Sequence, residues 1–336
     1  MKFEEITGNS ERVRESHLNN IVEWGGSLSV DDYLERERRL SEIHHRNGLI
    51  HRVFAVIDDA DHVIGACETL SRPLYRGEGE YSTDHCVASV FVKKEARRHG
   101  AATFMLSHLV QLFNTTAEQM SLWSDVGDYY ARFGFVFPLV FEDEPHWHRT
   151  IVCQGTTKEV DCEMLDLARV NQQIVPEHTN ELIRKTDILC RECNGEVRLN
   201  LVVPHAGLYE QLQFRALFTA EKLGIPQPTK FGARTLDSHG WISWTYFFDS
   251  KKLMVLGLFG STNEIGILMA AAAAEAARYG CYVELYESSM MMQFGSAEEA
   301  ALTTLGLEFE VKERATSLAM SKGAGIWVYP GGYAWY

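Results

Sequence analysis

The sequence predicts an α+β protein made of two units with a shared plan, and three observations predict it. The hydrophobic patterns of residues 51–141 read as three strands, a helix, a strand, a short helix and a strand. Residues 241–311 run strand, strand, helix, strand, helix, strand, matching the later part of that order with little sequence identity. The chain of 336 residues is also long enough for one large or two medium domains. The expected division is a first domain at 1–150, a mixed polar connecting segment at 151–195 and a second domain at 196–336.

The elements follow in order. Two helices come first. Ser29-Val30-Asp31-Asp32 reads as a capping box that opens the second, which runs to about His45, with Glu35 and Arg39 paired at i,i+4 and Gly48 as the stop. His51–Ile57 and His62–Leu70 read as strands joined by the turn Asp58-Asp59-Ala60-Asp61. A loop with Gly77 and Gly79 leads to the strand His85–Val92. The helix after it carries Ala101, Met105, Leu109 and Leu112 on one face. Leu122–Ser124 is a short strand, Tyr129–Phe133 a short helix and Phe135–Phe141 a final strand. In the second half, Trp241–Phe248 and Leu253–Phe259 are strands. Ser261-Thr262-Asn263-Glu264 caps a helix that Gly280 ends. Cys281–Tyr286 is a strand, and Ser296 opens a short helix before the strand Leu307–Val311.

Charge and composition exclude several classes. Lysines and arginines number 32 against 46 acidic residues, a net charge of −14, which argues against nucleic acid as a partner and is compatible with steering a cationic small molecule. No apolar run approaches the ~20 residues of a membrane span. The polar, acidic start of the chain is unlike a secretory or transit signal, so the expected location is the cytosol. The 7 cysteines read as reduced thiols. Cys190-x-x-Cys193 lacks a second pair at zinc spacing and His146-Trp147-His148 lacks partners, so no metal is expected.

One stretch carries chemistry. In 90-VFVKKEARRHGAATFML-106 a strand hands over to a helix through Arg97, Arg98, His99, Gly100, Ala101 and Ala102. Amides in the first turn of a helix lack internal partners and the helix dipole is positive there, so an anion is favoured. Glycine and alanine let a pyrophosphate reach the backbone, and the arginines add charge-assisted bonds. The pattern is neither G-x-G-x-x-G nor G-x-x-x-x-G-K-[ST], which disfavours a dinucleotide or a nucleoside triphosphate.

This segment resembles the R/Q-x-x-G-x-G/A turn of the GNAT-superfamily N-acetyltransferases. Downstream, Tyr130-Ala131-Arg132-Phe133-Gly134-Phe135 is similar to the family's Y-x-x-x-G-F segment. The resemblance implies a GNAT fold in the N-terminal domain, a mixed sheet flanked by helices, with acetyl-CoA as co-substrate. It implies that the backbone of Val90, Phe91 and Val92 pairs with the pantetheine arm, one amide polarising the thioester carbonyl. Tyr130 is then the general acid at the departing sulfur, with an ordinary pKa of about 10. An acceptor amine of pKa about 10.4 must lose its proton. Candidate bases are Glu68, Asp84 and His85; Cys67 and Cys86 are the candidates for an acyl-cysteine relay, against simple packing.

Within the superfamily the chain is most similar to fungal lysine N-acetyltransferases. Cys67-Glu68-Thr69-Leu70 with Arg72-Pro73, Ala88-Ser89-Val90-Phe91, Ser124-Asp125-Val126-Gly127, Trp241-Ile242-Ser243-Trp244-Thr245 and Tyr333-Ala334-Trp335-Tyr336 carry that resemblance. It implies free L-lysine or a related small amine as acceptor. A protein or peptide amine, or a non-catalytic acetyl-CoA-binding sensor, are the alternatives. The family's strand-to-helix turn usually carries a proline that is absent here. Arg72, Arg76, Arg215 and Arg234 are candidates to hold an acceptor carboxylate. In the second half, Asn263-Glu264-Ile265-Gly266 lacks the basic residue and Leu302 stands where Tyr130 would, so that half is expected to be GNAT-like and non-catalytic.

Overall fold

The structure is a computed structural model that describes residues 1–113, 118–124, 126–136, 149–155, 160–194, 197–237, 239–290, 295–313, 317–321, 326–328 and 331–334. Asp125, the part of the expected strand beyond Val136, the His146-Trp147-His148 triplet and Trp335-Tyr336 lie outside the described residues. The chain forms two compact units, Met1–Leu139 with Thr316–Ile326 and Val140–Ala315 with Trp327–Trp335.

The first unit holds β1 (Lys2–Glu5), α1 (Ser10–Trp24), α2 (Val30–Arg46), β2 (Ile50–Ile57), β3 (Val63–Tyr75) and β4 (Tyr81–Val92). It continues with α3 (Ala101–Phe113), β5 (Gln119–Ser124), a 3-10 turn at Gly127–Phe133 and β6 (Phe135–Val136). The helix α2 starts where Ser29 accepts the amide of Asp32 at 3.2 Å and stops at Gly48, with φ +71°. Its Glu35 pairs with Arg38 at 2.9 Å. The β2–β3 hairpin closes through Asp58, whose carboxylate accepts the amides of Ala60 and His62 at 3.0 and 2.9 Å.

The strand β1 is an addition to the expected order. Its sequence KFEE shows little apolar patterning, yet it pairs antiparallel with β2 from Lys2↔Ile57 to Glu5↔Phe54. The alternation of β2 and β3 separates two faces. Phe54, Val56 and Cys67 pack with Val87 and the α3 residues Met105, Leu106, Leu109 and Phe113. Val53, Ala55, Ile57 and Ala66 pack on the other face with Ile6 and with Val13 of α1. Leu112, expected in the apolar row of α3, is 47% exposed, because the i,i+4 steps from Ala101 through Met105 and Leu109 land on Phe113.

The second unit contains β7 (Arg149–Gln154), β8 (Cys162–Leu165), a single turn α4 (Leu167–Arg169), α5 (Val175–Glu192), β9 (Leu199–Val202), α6 (Ala206–Lys222), β10 (Gly232–Thr235), β11 (Trp241–Phe247) and β12 (Lys252–Phe259). It ends with α7 (Thr262–Arg278), β13 (Tyr282–Tyr286), α8 (Ser296–Thr304) and β14 (Glu308–Glu313). Residues 151–195, expected as a connecting segment, thus carry two strands and a long helix of this unit. The run TIVC is short, but it sits between β13 and β14 and pairs antiparallel with both.

The two sheets follow one plan. In the first the order is β1-β2-β3-β4-β5-β15-β6, where β15 is Ser317–Ser321; in the second it is β14-β7-β13-β12-β11-β10-β8. Each has an antiparallel hairpin whose second strand runs through a helix to a parallel neighbour, β4 to β5 and β12 to β13. The strand beyond that neighbour is supplied from elsewhere in the chain: β15, late in sequence, beside β5, and β7, early in sequence, beside β13. The first sheet is therefore discontinuous in sequence.

At the end where β4 and β5 are joined, Arg72 of β3 donates through Nε to Asp84 of β4 at 2.8 Å. It also lies 3.2 Å from Ser121 Oγ of β5, which itself donates to Asp84 at 2.7 Å. Arg72 and Asp84 are fully buried, so removing one leaves the other charge without its counterpart in low dielectric. Arg72→Ala is expected to destabilise the protein by about 3–5 kcal/mol in urea unfolding.

Candidate active site

The parallel ladder between β4 and β5 runs only from Asp84↔Gln119 to Val87↔Leu122. The β3–β4 register shows why it ends there. Ala66 pairs with Phe91 but Glu68 pairs with Ala88, so β4 carries one extra residue, and Ser89 turns to φ +51°. Such a bulge bends its strand and strengthens the twist. Past it β4 leaves β5, and burial falls from Asp84–Val87, which are buried, to Ala88–Val90, which are half-buried. Among the described residues no strand pairs with the β5 side of Ala88–Val92, where a ligand with an amide-bearing arm can take a strand's place.

The gap points along β4 to the turn singled out in the sequence. Arg98 and Gly100 adopt φ +65° and +85°, and the first bond of α3 runs from the amide of Phe104 to Gly100 O at 2.8 Å. The amides of Ala101, Ala102 and Thr103 precede that bond and face the helix end. Apart from its chain neighbours, no atom of the described residues stands within 4 Å of where a side chain would begin at Gly100, so the cradle is open there. Arg97 is partly committed to the turn: its Nε donates to Val92 O at 2.9 Å and its guanidinium lies 5.6 Å over the Phe91 ring. Arg98 and His99 are exposed. These residues fit a pyrophosphate.

Tyr130 sits in the 3-10 turn that follows β5. Ser124, at the end of β5, donates to Gly127 O at 2.8 Å and accepts the amide of Val126 at 3.3 Å, tying the turn to the strand. Gly134 ends the turn at φ +90°. The half-buried Tyr130 ring lies 5.3 Å from Tyr129 and 6.1 Å from Phe135. It packs on the same apolar cluster as Val90, so both sequence motifs meet on the α3 face of the sheet.

The candidate bases are placed differently from one another. His85 is buried with Nδ1 2.8 Å from Ser71 Oγ and Nε2 2.8 Å from Glu118 Oε2, so both ring nitrogens are occupied. Asp84 is held by Arg72 and Ser121. Burial pushes the Cys67 and Cys86 thiols up, which disfavours the thiolate a relay needs. Glu68 is 4% exposed and lies on the α1 side, between His51 Nε2 at 3.1 Å and His17 Nε2 at 3.5 Å. Burial opposes its charge, but the imidazoles of His17 and His51 beside it outweigh burial and hold its carboxyl well below the usual range. Burial likewise opposes charge on His17, but Glu68, with a smaller contribution from Glu37, outweighs it and raises that imidazole, Arg36 acting the other way.

The two histidines were not singled out from the sequence, because α1 and β2 bring them to Glu68 from 51 and 17 positions away. Among the carboxylate-holding candidates, Arg72 is spent on Asp84, Arg234 pairs with Glu177 at 2.8 Å, and Arg76 pairs with Glu80 at 3.3 Å. Among the described residues no group of three or more histidine, cysteine or acidic side chains is placed to hold a metal, and no helix is long and apolar enough to cross a membrane.

The second unit repeats the bulge but fills the gap. Ser243 pairs with Gly257 and Trp244 with Val255, again one extra residue in the second strand. A side chain beginning at Gly257 would stand 2.7 Å from His178 and 3.1 Å from Trp241, and the His178 ring lies 4.9 Å from Tyr333. Leu258 beyond the bulge bridges to Met290. At the start of α7, Glu264 accepts the amide of Ser261 at 2.7 Å, so a carboxylate already occupies the helix end. Leu302 is fully buried.

The chain has the fold of the GNAT N-acetyltransferases. It aligns over 95% of its length with a GCN5-related N-acetyltransferase of Anabaena variabilis, covering 72% of that protein with TM-score 0.56 and 15% identity. It aligns over 95% of its length with a tandem GNAT protein of the clavulanic acid biosynthesis pathway, covering 98% of that protein with TM-score 0.51 and 10% identity. In sequence it is 25% identical over 319 residues to a lysine acetyltransferase of Yarrowia lipolytica, covering 81% of this chain and 79% of the relative. An uncharacterized protein of Saccharomyces cerevisiae is 25% identical over 296 residues, covering 75% and 73%. No protein-family model matches the chain.

The His17–Glu68 pair has a pH signature. The lowered carboxyl stabilises the fold above its ordinary value of 4.5 and loses that contribution as the pH falls through its lowered value. The raised imidazole stabilises it below 6.5 and loses that contribution as the pH rises through its raised value. Glu68→Gln is expected to remove both limbs from the stability profile and to lower the His17 midpoint in an NMR titration.

Proposed function

We propose that the protein is an N-acetyltransferase that moves acetyl from acetyl-CoA to the side-chain amine of free L-lysine or a related small amine. The observation that carries the reading is the gap beside Ala88–Val92, which leads to the turn at the start of α3 and shares an apolar cluster with Tyr130. The similarity to the Yarrowia lipolytica enzyme supports lysine as acceptor.

Acetyl-CoA supplies an activated thioester. The backbone of Val90–Val92 holds its pantetheine arm as a strand would, and an amide there polarises the carbonyl. The amides of Ala101–Thr103, with the positive end of α3 and Arg98, hold the pyrophosphate. The amine nitrogen attacks the carbonyl carbon directly, and Tyr130 donates its proton to the sulfur as the carbon–sulfur bond breaks. The second unit takes no part in the chemistry, since its own gap holds His178 and its helix end holds Glu264.

Following thioester consumption with free amino acids and polyamines tests the substrate. Lysine is expected to give the highest kcat/KM; a flat profile across the panel removes lysine from the proposal. Tyr130→Phe is expected to lower kcat by about 10²–10⁴ while leaving the Kd for acetyl-CoA unchanged. If the unsubstituted protein binds acetyl-CoA and turns over no amine, it is a binding protein instead.

A further inference from the structure

We infer that the cleft between α1, α2 and β2 is the acceptor's binding site, where Arg14 holds a carboxylate and the His17–Glu68–His51 cluster takes the proton of the attacking amine. This inference deepens the proposed transfer and rests on it. The cleft has a volume of about 480 Å³, ample for an amino acid, and its walls include Arg14, His17, Glu37, Arg38, Glu42 and His51.

Charge pairing distinguishes the groups that remain available. Arg38 is committed to Glu35 and Glu42, and Glu37 lies 2.7 Å from Arg36. Arg14 is exposed on the wall and makes no ion pair among the described residues. A planar guanidinium matches a carboxylate in geometry and charge. Deeper in the cleft, His17 is 6% exposed, and its Nε2 has no hydrogen-bond partner, Glu68 Oε1 standing 3.5 Å away.

The position across the sheet fits the reaction. Glu68 pairs with Ala88, the residue before the Ser89 bulge, and faces the α1 side. Tyr130 and Val90 pack on the opposite face. A thioester in the gap then has its proton donor on one side and its proton acceptor on the other. The amine nitrogen bonds to the carbonyl carbon and its proton passes to an imidazole that Glu68 stabilises as a cation. The carbon–sulfur bond breaks and sulfur takes the Tyr130 proton. The imidazolium then releases its proton to water and the tyrosinate regains one. The charged groups around the cluster are Arg36 and Glu37 on α2, His44 with its ring 5.4 Å from His51, and Arg14, Arg38 and Glu42 along the cleft.

The test compares L-lysine with cadaverine, the same chain lacking the carboxylate, on the full-length protein. Arg14→Ala is expected to raise the lysine KM by about 10- to 100-fold and to leave cadaverine and acetyl-CoA within twofold. An equal effect on both amines, or none on lysine, overturns the carboxylate assignment. His17→Gln and His51→Gln are positioning or proton-accepting variants, expected to lower kcat by about 10² with a deficit that shrinks as the pH approaches the amine's own pKa of about 10. A deficit that does not change with pH overturns the proton role. Thermal melts check that each variant folds; should a histidine variant not fold, Glu68→Asp supplies the same pH readout. If the unsubstituted protein turns over no amine, the transfer reading fails by itself. Calorimetric binding of lysine in the presence of CoA then decides the site: binding weakened by Arg14→Ala supports it, and unchanged binding overturns it.

Discussion

The extra residue at Ser89 governs the first unit. Two parallel strands joined through a helix would ordinarily stay paired along their common length, and a fully paired β4 would leave no backbone for a ligand. One inserted residue at φ +51° ends the ladder after Val87 and leaves the β5 side of Ala88–Val92 without a paired strand among the described residues. Everything assigned to the site depends on that edge. The turn at Arg97–Ala102 lies at its far end, Tyr130 packs on the same apolar cluster as Val90, and Glu68 pairs with the residue before the bulge. The buried Arg72–Asp84–Ser121 contact holds the paired end shut, so the divergence begins at a defined place.

The second unit shows that the bulge alone does not make a site. It has the same hairpin, the same parallel crossover and the same extra residue, yet its opening is taken by His178, Trp241 and the turn carrying Tyr333. Burial lowers the His178 pKa to about 3, so it is neutral packing material at working pH. A carboxylate has also replaced the anion at the helix start: Glu264 caps α7 and accepts from Thr235 at 3.1 Å as well as from Ser261. Burial opposes that charge, but those hydrogen bonds hold the Glu264 carboxyl below the usual range.

What was legible in the sequence was local. A glycine and two alanines behind arginines at a strand-to-helix handover imply an anion cradle from their own conformational needs. The capping boxes at Ser29 and Ser261 sit where their spacing put them. What was not legible depends on distant pairing. Arg149–Gln154 fell in a stretch expected as a polar connection and Ser317–Ser321 was assigned no element, because both become strands through partners distant in sequence, β13 and β14 for the first and β5 and β6 for the second. The surroundings of Glu68 were not readable for the same reason, because its partners His17 and His51 come from α1 and β2. His85 shows the converse, since a histidine on a central strand looks available until Ser71 and Glu118 are found on its two nitrogens.

The proposed transfer stands on the edge of β4 and the start of α3 together holding acetyl-CoA. Amide hydrogen exchange of the full chain, with and without acetyl-CoA, tests it at residue level. Added protection is expected at Val90–Val92 and at Ala101–Thr103, with none at Ile265–Leu268 in the second unit. Protection absent from the first two segments, or found at the third, would contradict it.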